Sequence, residues 1–193
     1  MMKYPIYAYG HPVLRKKTKE ITADEPNLQE LIDDMFETMY ASSGVGLAAP
    51  QIGKSIRLFV VDAEPFIDYD DYLSDKEKEQ LKGKKVFINP KMIEQTGEKW
   101  SFSEGCLSIP GINEDVSRPE KIKIHYFDRN FNSHTEEISG LLARVIQHEY
   151  DHLEGILFTD YLSSFKKRLL KRKLQNISKG KVEVSYRMKF PNK

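Results

Sequence analysis

Two stretches of the chain place apolar side chains three or four positions apart, which is the spacing of an α-helix. Residues 26–40 begin with Pro26, end before the breaker run at 42–44, and carry a set of apolar positions: Leu28, Leu31, Ile32, Met35, Phe36 and Met39. Residues 139–154 lie between Ser139, a good N-cap, and Gly155, a residue type that suits the position after a helix. The pattern predicts an amphipathic helix in each stretch.

Between these helices lie short runs rich in β-branched and aromatic residues, bounded by Pro, Gly, Asn or Asp, at 57–62, 85–89, 99–103 and 121–127. Such runs predict strands. The first two runs are separated by an acidic, weakly periodic segment, 63–85, which we expect to be a surface excursion with a short helix over 72–81. Alternating Val182, Val184 and Tyr186 predict one late strand. The order of elements favours an α+β fold.

The C-terminal part of the chain is strongly basic. From residue 161 onward there are 11 Lys and Arg against one acid, Glu183, which leaves 19 basic and 28 acidic residues, or −9, in residues 1–160. Within it, residues 165–174 place six basic side chains around Phe165, Leu169, Leu170 and Leu174 and predict a basic amphipathic helix. The helix either docks on the core with a solvated basic face or offers a surface to a polyanion such as RNA.

Composition narrows the class of protein. The chain has 193 residues, a net charge of +1, 31% charged and 39% hydrophobic residues, which is typical of a globular protein of one domain and excludes collagen-like, disordered and disulfide-scaffold classes. The longest uncharged stretch, 38–53, is too short and polar for a membrane span, and the N-terminus lacks the features of a signal peptide. We therefore expect a cytoplasmic protein that does not enter a membrane.

The second predicted helix contains His148-Glu-Tyr-Asp-His152, a match to HExxH. Because His148 and His152 are four residues apart, both imidazoles lie on one helix face and can bind one metal ion. Glu149 lies beside that face, where a general base for a metal-bound water is required. The alternative is a core helix with two hydrogen-bonded histidines.

A catalytic site of this kind needs a third protein ligand. Phe158 stands where the metzincin pattern has a third histidine, and no Glu lies between Glu154 and Lys181, where a thermolysin-like enzyme has its glutamate. The third ligand must come from upstream, and the candidates besides a carboxylate are Cys106, His125, His134 and His11. Cys106 is the strongest of these because it follows the strand-like run 99–103, where a turn could direct a thiolate outward.

Three segments, GVGLAAPQ at 44–51, EGCLS at 104–108 and QHEYDHLEG at 147–155, resemble the three motifs of the peptide deformylase family in order and spacing. The resemblance covers residues 2–162. It implies a catalytic domain at 1–162, in which short antiparallel β-sheets pack around a central HExxH helix with an N-terminal helix beside it, and a basic C-terminal helix and tail at 163–193.

The resemblance also implies the activity: a metal-dependent hydrolase that removes the N-formyl group from the initiator methionine of new polypeptides and releases formate. Its metal would be held by Cys106, His148 and His152, with Fe²⁺ as the ion used in the cell and Zn²⁺, Ni²⁺ or Co²⁺ as alternatives. A metal-bound hydroxide, formed when Glu149 takes a proton from water, would attack the formyl carbon. The side chain of Gln51 and the backbone N–H of Leu107 would stabilise the oxyanion.

Substrate contacts follow from the same resemblance. Gly44 and Gly46 either serve as turn glycines or allow a close backbone approach to an extended peptide, and the two roles are compatible. In the second role, Val45 and Gly46 would offer main-chain hydrogen bonds to the substrate. The methionine pocket would be formed by the ring of His148 together with Val45, Phe102, Leu141 and Val145, although plain core packing is an equal alternative for the last two.

Supporting roles and one departure concern residues around the motifs. Glu104 and Gln147 are expected to orient loops and ligands, and Arg118 to pair with Asp151. Many family members place an arginine shortly after EGCLS for contact with substrate carbonyls, but Asn113 stands in that region here, which puts recognition of the peptide backbone in doubt.

The expected partners are formyl-methionine nascent chains and, through the basic helix, the ribosome; we expect a monomer. Two other functions remain open. One is a related metallo-amidase or peptidase acting on other acyl groups. The other is an RNA-associated module with a structural zinc site, although such sites normally have four protein ligands and no fourth candidate is in place.

Overall fold

The computed structural model describes residues 2–68 and 73–191. Within these residues the α-helices are α1 (Leu28–Ala41), α2 (Asp75–Leu81), α3 (Gly140–Leu153) and α4 (Ser164–Ser178). Short 3₁₀ turns lie at Pro12–Arg15, Ala49–Ile52, Glu64–Ile67 and Phe158–Tyr161. In the described part of the chain, no helix combines the length and apolar character needed to cross a membrane.

The two predicted amphipathic helices are confirmed. Helix α1 buries the predicted stripe, including Ile32, Met35 and Met39, against β-strands of the core. Helix α3 begins after Ser139, which is the N-cap residue but makes no side-chain capping bond, and ends before Gly155. Gly155 has a φ of +74°, and a Cβ there would lie 2.6 Å from the carbonyl oxygen of Arg15. Only glycine fits this position without strain.

One antiparallel sheet contains most strands of the described chain, in the order β2-β3-β4-β5-β6. Its strands are β2 (Gly46–Ala48), β3 (Leu58–Val61), β4 (Lys85–Cys106), β5 (Ile109–Phe127) and β6 (Ser133–Ser139). Helix α3 packs against β2, β3, β5 and β6. The mixed α+β architecture with antiparallel pairing is therefore confirmed.

Strands β4 and β5 are longer than predicted. The runs 85–89 and 99–103 belong to one strand, β4, which spans 22 residues and pairs with β5 through several register shifts. Residues 91–99 of β4 are largely exposed, so they show no apolar alternation that a sequence pattern could detect. The prediction of short sheets is wrong in this respect. The exposed part of β4 is held by backbone hydrogen bonds to β5, and these leave no pattern of apolar residues in the sequence.

The acidic segment 63–85 contains the expected short helix as α2, which starts at Asp75. Ser74 and Glu77 cap it reciprocally: the Glu77 N–H donates to Ser74 Oγ at 3.3 Å, and the Ser74 N–H donates to Glu77 Oε2 at 2.9 Å. The first predicted position, Tyr72, lies outside the described residues. Leu81 is fully buried in the core, so the segment is partly integrated into the fold.

Helix α4 is basic and amphipathic, as predicted, but its buried face differs from the prediction. Leu170, Leu174 and Ile177 pack into a cluster with residues of β5 and the chain preceding α4. Phe165 and Leu169 are 68% and 64% exposed. The apolar stripe that the spacing defines on α4 is wider than the part of the helix that packs on the core. Phe165 and Leu169 lie on the part that does not pack.

The predicted late strand at 182–186 is not formed. That segment has no regular secondary structure and bends at 185–186. The strand that does form, β7 (Met188–Lys189), lies further along and pairs in parallel with β1 (Ile6–Tyr7). The two ends of the described chain thus meet beside the main sheet.

Candidate active site

The ligand set combines the last residue of β4 with one face of α3. Cys106 closes the β4–β5 hairpin, opposite Ile109 across a two-residue turn. His148 and His152 lie one helical turn apart on α3. One ligand atom from each of the three residues lies within 4.8 Å of the others, and the Cys106 Sγ to His152 Nε2 distance is 3.3 Å.

The donor chemistry fits a transition-metal ion. A soft sulfur with two imidazoles suits Zn²⁺, Fe²⁺, Ni²⁺ and related ions. Nδ1 of His148 lies 3.1 Å from Glu104 Oε2, so its Nε2 is the nitrogen available to a metal. No fourth His, Cys, Asp or Glu of the described residues joins the group. Three protein ligands with a position left open are typical of a catalytic rather than a structural site.

A buried ionic network holds this arrangement. Glu104 accepts from Arg118 Nε at 2.7 Å and from Arg144 Nη1 at 3.0 Å, and Arg118 Nη1 donates to Asp151 Oδ2 at 2.7 Å. Burial raises the pKa of Glu104, but hydrogen bonds from His148 and Arg118 outweigh it and lower the pKa to about 2. Glu104 therefore stays ionised and orients the His148 ring. The expected pairing of Arg118 with Asp151 is confirmed.

The hydrogen bonds of the Gln147 side chain go to groups other than the ligands. Its Nε2 donates to the carbonyls of Pro119 and Ala143, each at 3.1 Å, and its Oε1 accepts from Gln95 Nε2 at 3.4 Å. The side chain therefore joins α3 to β4 and β5.

Glu149 is buried beside the ligands, and its Oε2 has no hydrogen-bond partner among the described residues. Burial raises the pKa of Glu149 to about 7. Strand β2 approaches this carboxylate so closely that a Cβ at Gly46 would lie 2.4 Å from Glu149 Oε1. A carboxyl group with an unused oxygen and a pKa near neutrality is suited to accept and return a proton.

The Gln51 side chain is fixed in orientation by β2. Its Oε1 accepts from the Ala48 N–H at 2.9 Å, so its Nε2 points the other way, to Ser108 Oγ at 3.3 Å and Cys106 Sγ at 3.5 Å. The amide N–H groups therefore face Cys106 and Ser108, the two residues on either side of Leu107.

A cavity of about 480 Å³ opens over these groups. Most of the predicted site residues line it: Val45, Gly46, Gln51, Phe102, Cys106, Leu107, Val145, His148 and Glu149. His152 is buried behind the cavity wall. Leu141 is not part of the lining, and its neighbours are those of the core, which is the plain packing alternative.

Several residues of the site were not predicted. Arg144 lines the cavity and donates to Glu104 and to the carbonyls of Val116 and Trp100. The sequence signal that could have identified Arg144 is a charged residue among the apolar positions of the predicted helix 139–154. The segment 183–186 also lines the cavity, and its alternation was the only sign of order. Asn113 Oδ1 lies against Gly105, where a Cβ would be 2.4 Å away.

Comparison with known proteins agrees with this geometry. The sequence model of the polypeptide deformylase family matches residues 3–168 of this chain. A peptide deformylase of Christiangramia forsetii is 62% identical over 192 residues, covering 99% of this chain and 97% of the relative. One from Flavobacterium psychrophilum is 61% identical over 190 residues, covering 98% and 97%.

The crystal structure of a peptide deformylase from Legionella pneumophila has a TM-score of 0.77 and 39% identity to this chain, and the match covers 93% of this chain and 98% of that one. The two chains therefore share their fold over nearly their whole length. With the family match and the identities of the relatives, this shows that the chain belongs to the polypeptide deformylase family.

Proposed function

We propose that Cys106, His148 and His152 hold the metal ion with which this family removes the formyl group from peptides, and that Glu149 is the general base and acid. The observation that carries the proposal is the convergence of one thiol and two imidazoles within 4.8 Å, beside a buried carboxylate whose pKa is raised to about 7. When bound, the ion lowers the pKa of a coordinated water and polarises the formyl carbonyl.

Glu149 takes a proton from the attacking water and gives it to the methionine amine as the C–N bond breaks. Its Oε2, which has no hydrogen-bond partner among the described residues, accepts the proton. Because burial raises the pKa of the carboxyl group to about 7, Glu149 can keep the proton until the amine receives it. The products are formate and a peptide with a free N-terminus.

The oxyanion formed on the formyl carbonyl needs donors at fixed positions. Gln51 Nε2 meets this need because its carbonyl oxygen is occupied by Ala48. The N–H of Leu107, next to the ligand Cys106, is the second donor. Removal of one such donor costs about 10²- to 10³-fold in kcat in other enzymes that stabilise an oxyanion.

The peptide backbone binds along the edge of β2. Val45 O already accepts from the Asp62 N–H at 2.9 Å, and in an antiparallel ladder the next residue then points its groups away from the partner strand. Gly46 therefore offers its N–H and C=O to the substrate, whereas Val45 contributes its side chain. The methionine side chain occupies the apolar part of the cavity formed by Val45, Phe102 and Val145.

Fe²⁺ is the proposed ion in the cell, on the resemblance of the three motifs to those of the family. Ligand type alone favours Ni²⁺ or Zn²⁺ over Fe²⁺, so these ions and Co²⁺ should occupy the same ligands in vitro. Metal analysis of protein purified without oxygen from cells tests this: one iron per chain is expected, and zinc alone would contradict it.

The experiment that tests the function is formate release from a formyl-methionine tripeptide, with the acetyl-methionine tripeptide as the competing substrate. We expect turnover of the formyl substrate only, and loss of both bound metal and turnover in Cys106→Ser. Hydrolysis of the acetyl peptide at a similar rate would favour a broader metallo-amidase.

We further propose that α4 holds the enzyme near nascent chains at the ribosome, because the chain after residue 160 carries 11 basic residues against one acid and its helix exposes Arg168, Lys171 and Arg172. Catalytic residues come from 1–162 and this contact from 163–193. The working form is a cytoplasmic monomer, which gel filtration checks.

Charge reversal tests the ribosome contact without removing residues that pack on the core. The triple variant Arg168→Glu, Lys171→Glu, Arg172→Glu should lose co-sedimentation with ribosomes at low salt. The matched control reverses three exposed lysines elsewhere, at Lys16, Lys99 and Lys121. Equal co-sedimentation of both variants and wild type would contradict the proposal.

A further inference from the structure

The turn that follows Cys106 is held by both ends of the described chain. It consists of Leu107 and Ser108. The Tyr186 hydroxyl donates to the Leu107 carbonyl at 2.8 Å, and the Tyr9 N–H donates to the Ser108 carbonyl at 2.8 Å. Each carbonyl of the turn is thus fixed by a group outside the hairpin.

Tyr186 is well placed to act as a fixed donor. Its segment is anchored by β7 and by the Ile6 N–H, which donates to the Arg187 carbonyl at 2.9 Å. The half-buried Tyr186 ring packs against the cluster that includes α1, on the same side as Leu107. Burial raises the pKa of Tyr186 to about 12, so its hydroxyl is protonated at neutral pH.

The position of the Leu107 carbonyl matters because it constrains the Leu107 N–H. Peptide units are planar, so only φ and ψ of Leu107 separate its N–H from its C=O. With Cys106 held at a metal on one side and the carbonyl held by Tyr186 on the other, little freedom is left to the N–H. Stabilisation of an oxyanion depends on such fixed donors.

We propose that Tyr186 is a positioning residue for deformylation, whose hydroxyl holds the Leu107 backbone so that its N–H points to the oxyanion. The proposal rests on the function proposed above and on the role given there to Leu107. It assigns to the C-terminal segment 183–186 a part in the chemistry, beyond its place in the cavity wall.

The test is Tyr186→Phe in the full chain, loaded with one ion per chain. The variant keeps the ring and removes one oxygen, so the fold is retained, which a melting temperature checks. We expect kcat to fall about 3- to 30-fold, because the variant loses one hydrogen bond but keeps the oxyanion donor itself. KM should stay within about twofold of the wild-type value. The matched control is Tyr7→Phe, which removes the acceptor of Lys189 Nζ at 3.2 Å but nothing at Leu107, and keeps wild-type kcat.

A second measurement reads the Leu107 backbone directly. In zinc-loaded protein labelled with ¹⁵N-leucine, the Leu107 amide resonance should move in Tyr186→Phe and stay in place in Tyr7→Phe. An unchanged resonance, a wild-type kcat, or an effect on KM alone would overturn the inference. Absence of formate release by the metal-loaded wild-type protein would instead refute the proposed function.

Discussion

At Gly46 the absence of a side chain decides where the carboxylate of Glu149 can lie. The same position carries the N–H and C=O proposed to bind the peptide, so one residue serves both the proton acceptor and the substrate. The sequence predicted Gly46 as a substrate contact from its motif. It did not predict the contact with Glu149, because the two residues are more than 100 positions apart and glycine leaves no pattern of its own.

Gly46→Ala should lower kcat by about 10²-fold or more, because displacing a catalytic group by an ångström has effects of that size. The added Cβ would lie 2.4 Å from Glu149 Oε1 and 2.8 Å from its Cδ, so the carboxylate must move. Steady-state kinetics at equal metal content measure the effect. Gly83→Ala is the control: its φ is +78° and its Cβ would meet nothing, so it should cost about 1–2 kcal/mol of stability and leave kcat unchanged. A Gly46→Ala enzyme with wild-type kcat would show that Glu149 does not need its observed position.

At the scale of elements, local patterns were predicted and pairings between distant parts of the chain were not. The spacing of apolar residues located α1 and α3, and HExxH placed two ligands on one helix face, because both depend on neighbours within a few residues. The length of β4 and the contact of Tyr186 with Leu107 depend on partners far along the chain. No periodicity of one segment contains that information.

The network that joins β4, β5 and α3 should dominate the stability of the site. Arg118→Leu removes a cation that pairs with two buried carboxylates, and leaves Asp151 with only the neutral Tyr161 hydroxyl, so it should cost about 3–5 kcal/mol of unfolding free energy. Urea denaturation measures it. The exposed pair Arg129–Asp33, at 3.0 Å, provides the control: Arg129→Leu should cost less than about 1 kcal/mol. A similar loss of unfolding free energy in both variants would show that the buried network stabilises the protein no more than an exposed ion pair does.

The docked face of α4 can be tested with two adjacent leucines. Leu170 is 6% exposed and Leu169 is 64% exposed. Leu170→Ala should cost at least about 2 kcal/mol because it leaves a cavity, whereas Leu169→Ala should cost less than about 0.5 kcal/mol. Thermal or urea unfolding distinguishes the two variants. A larger loss of stability in Leu169→Ala than in Leu170→Ala would mean that the face of α4 carrying Leu169 packs on the core.

At the scale of the whole molecule, both ends of the described chain are bound to the part of the fold that holds the site. Strand β1 pairs with β7, and Arg15 binds Asp160 through two contacts, at 2.5 and 3.1 Å, just before α4. The sequence predicted a basic tail from its charge. It could not predict that the tail returns to the cavity, because a segment without regular secondary structure has no periodic sequence pattern.

The Arg15–Asp160 pair should contribute to stability in a pH-dependent way. Burial raises the pKa of Asp160, but its hydrogen bond with Arg15 outweighs this and lowers the pKa below the ordinary value of 3.8. The contribution is therefore present above pH 3.8 and is lost as the pH falls through the lowered pKa. Since both side chains are partly exposed, Asp160→Asn should cost about 1 kcal/mol or less at pH 7 and less still at pH 3. Urea denaturation of variant and wild type at both pH values checks this, and a constant difference would contradict it.

The most direct test of the mechanism compares wild type with Glu149→Gln at equal metal occupancy, with formate release from a formyl-methionine tripeptide as the readout. The account predicts that the variant keeps one ion per chain, since Glu149 is not a ligand, and loses about 10²- to 10⁴-fold in kcat, the range of general acid–base catalysis. A metal-loaded variant that releases formate within tenfold of the wild-type rate would contradict the assignment of Glu149 as the proton carrier.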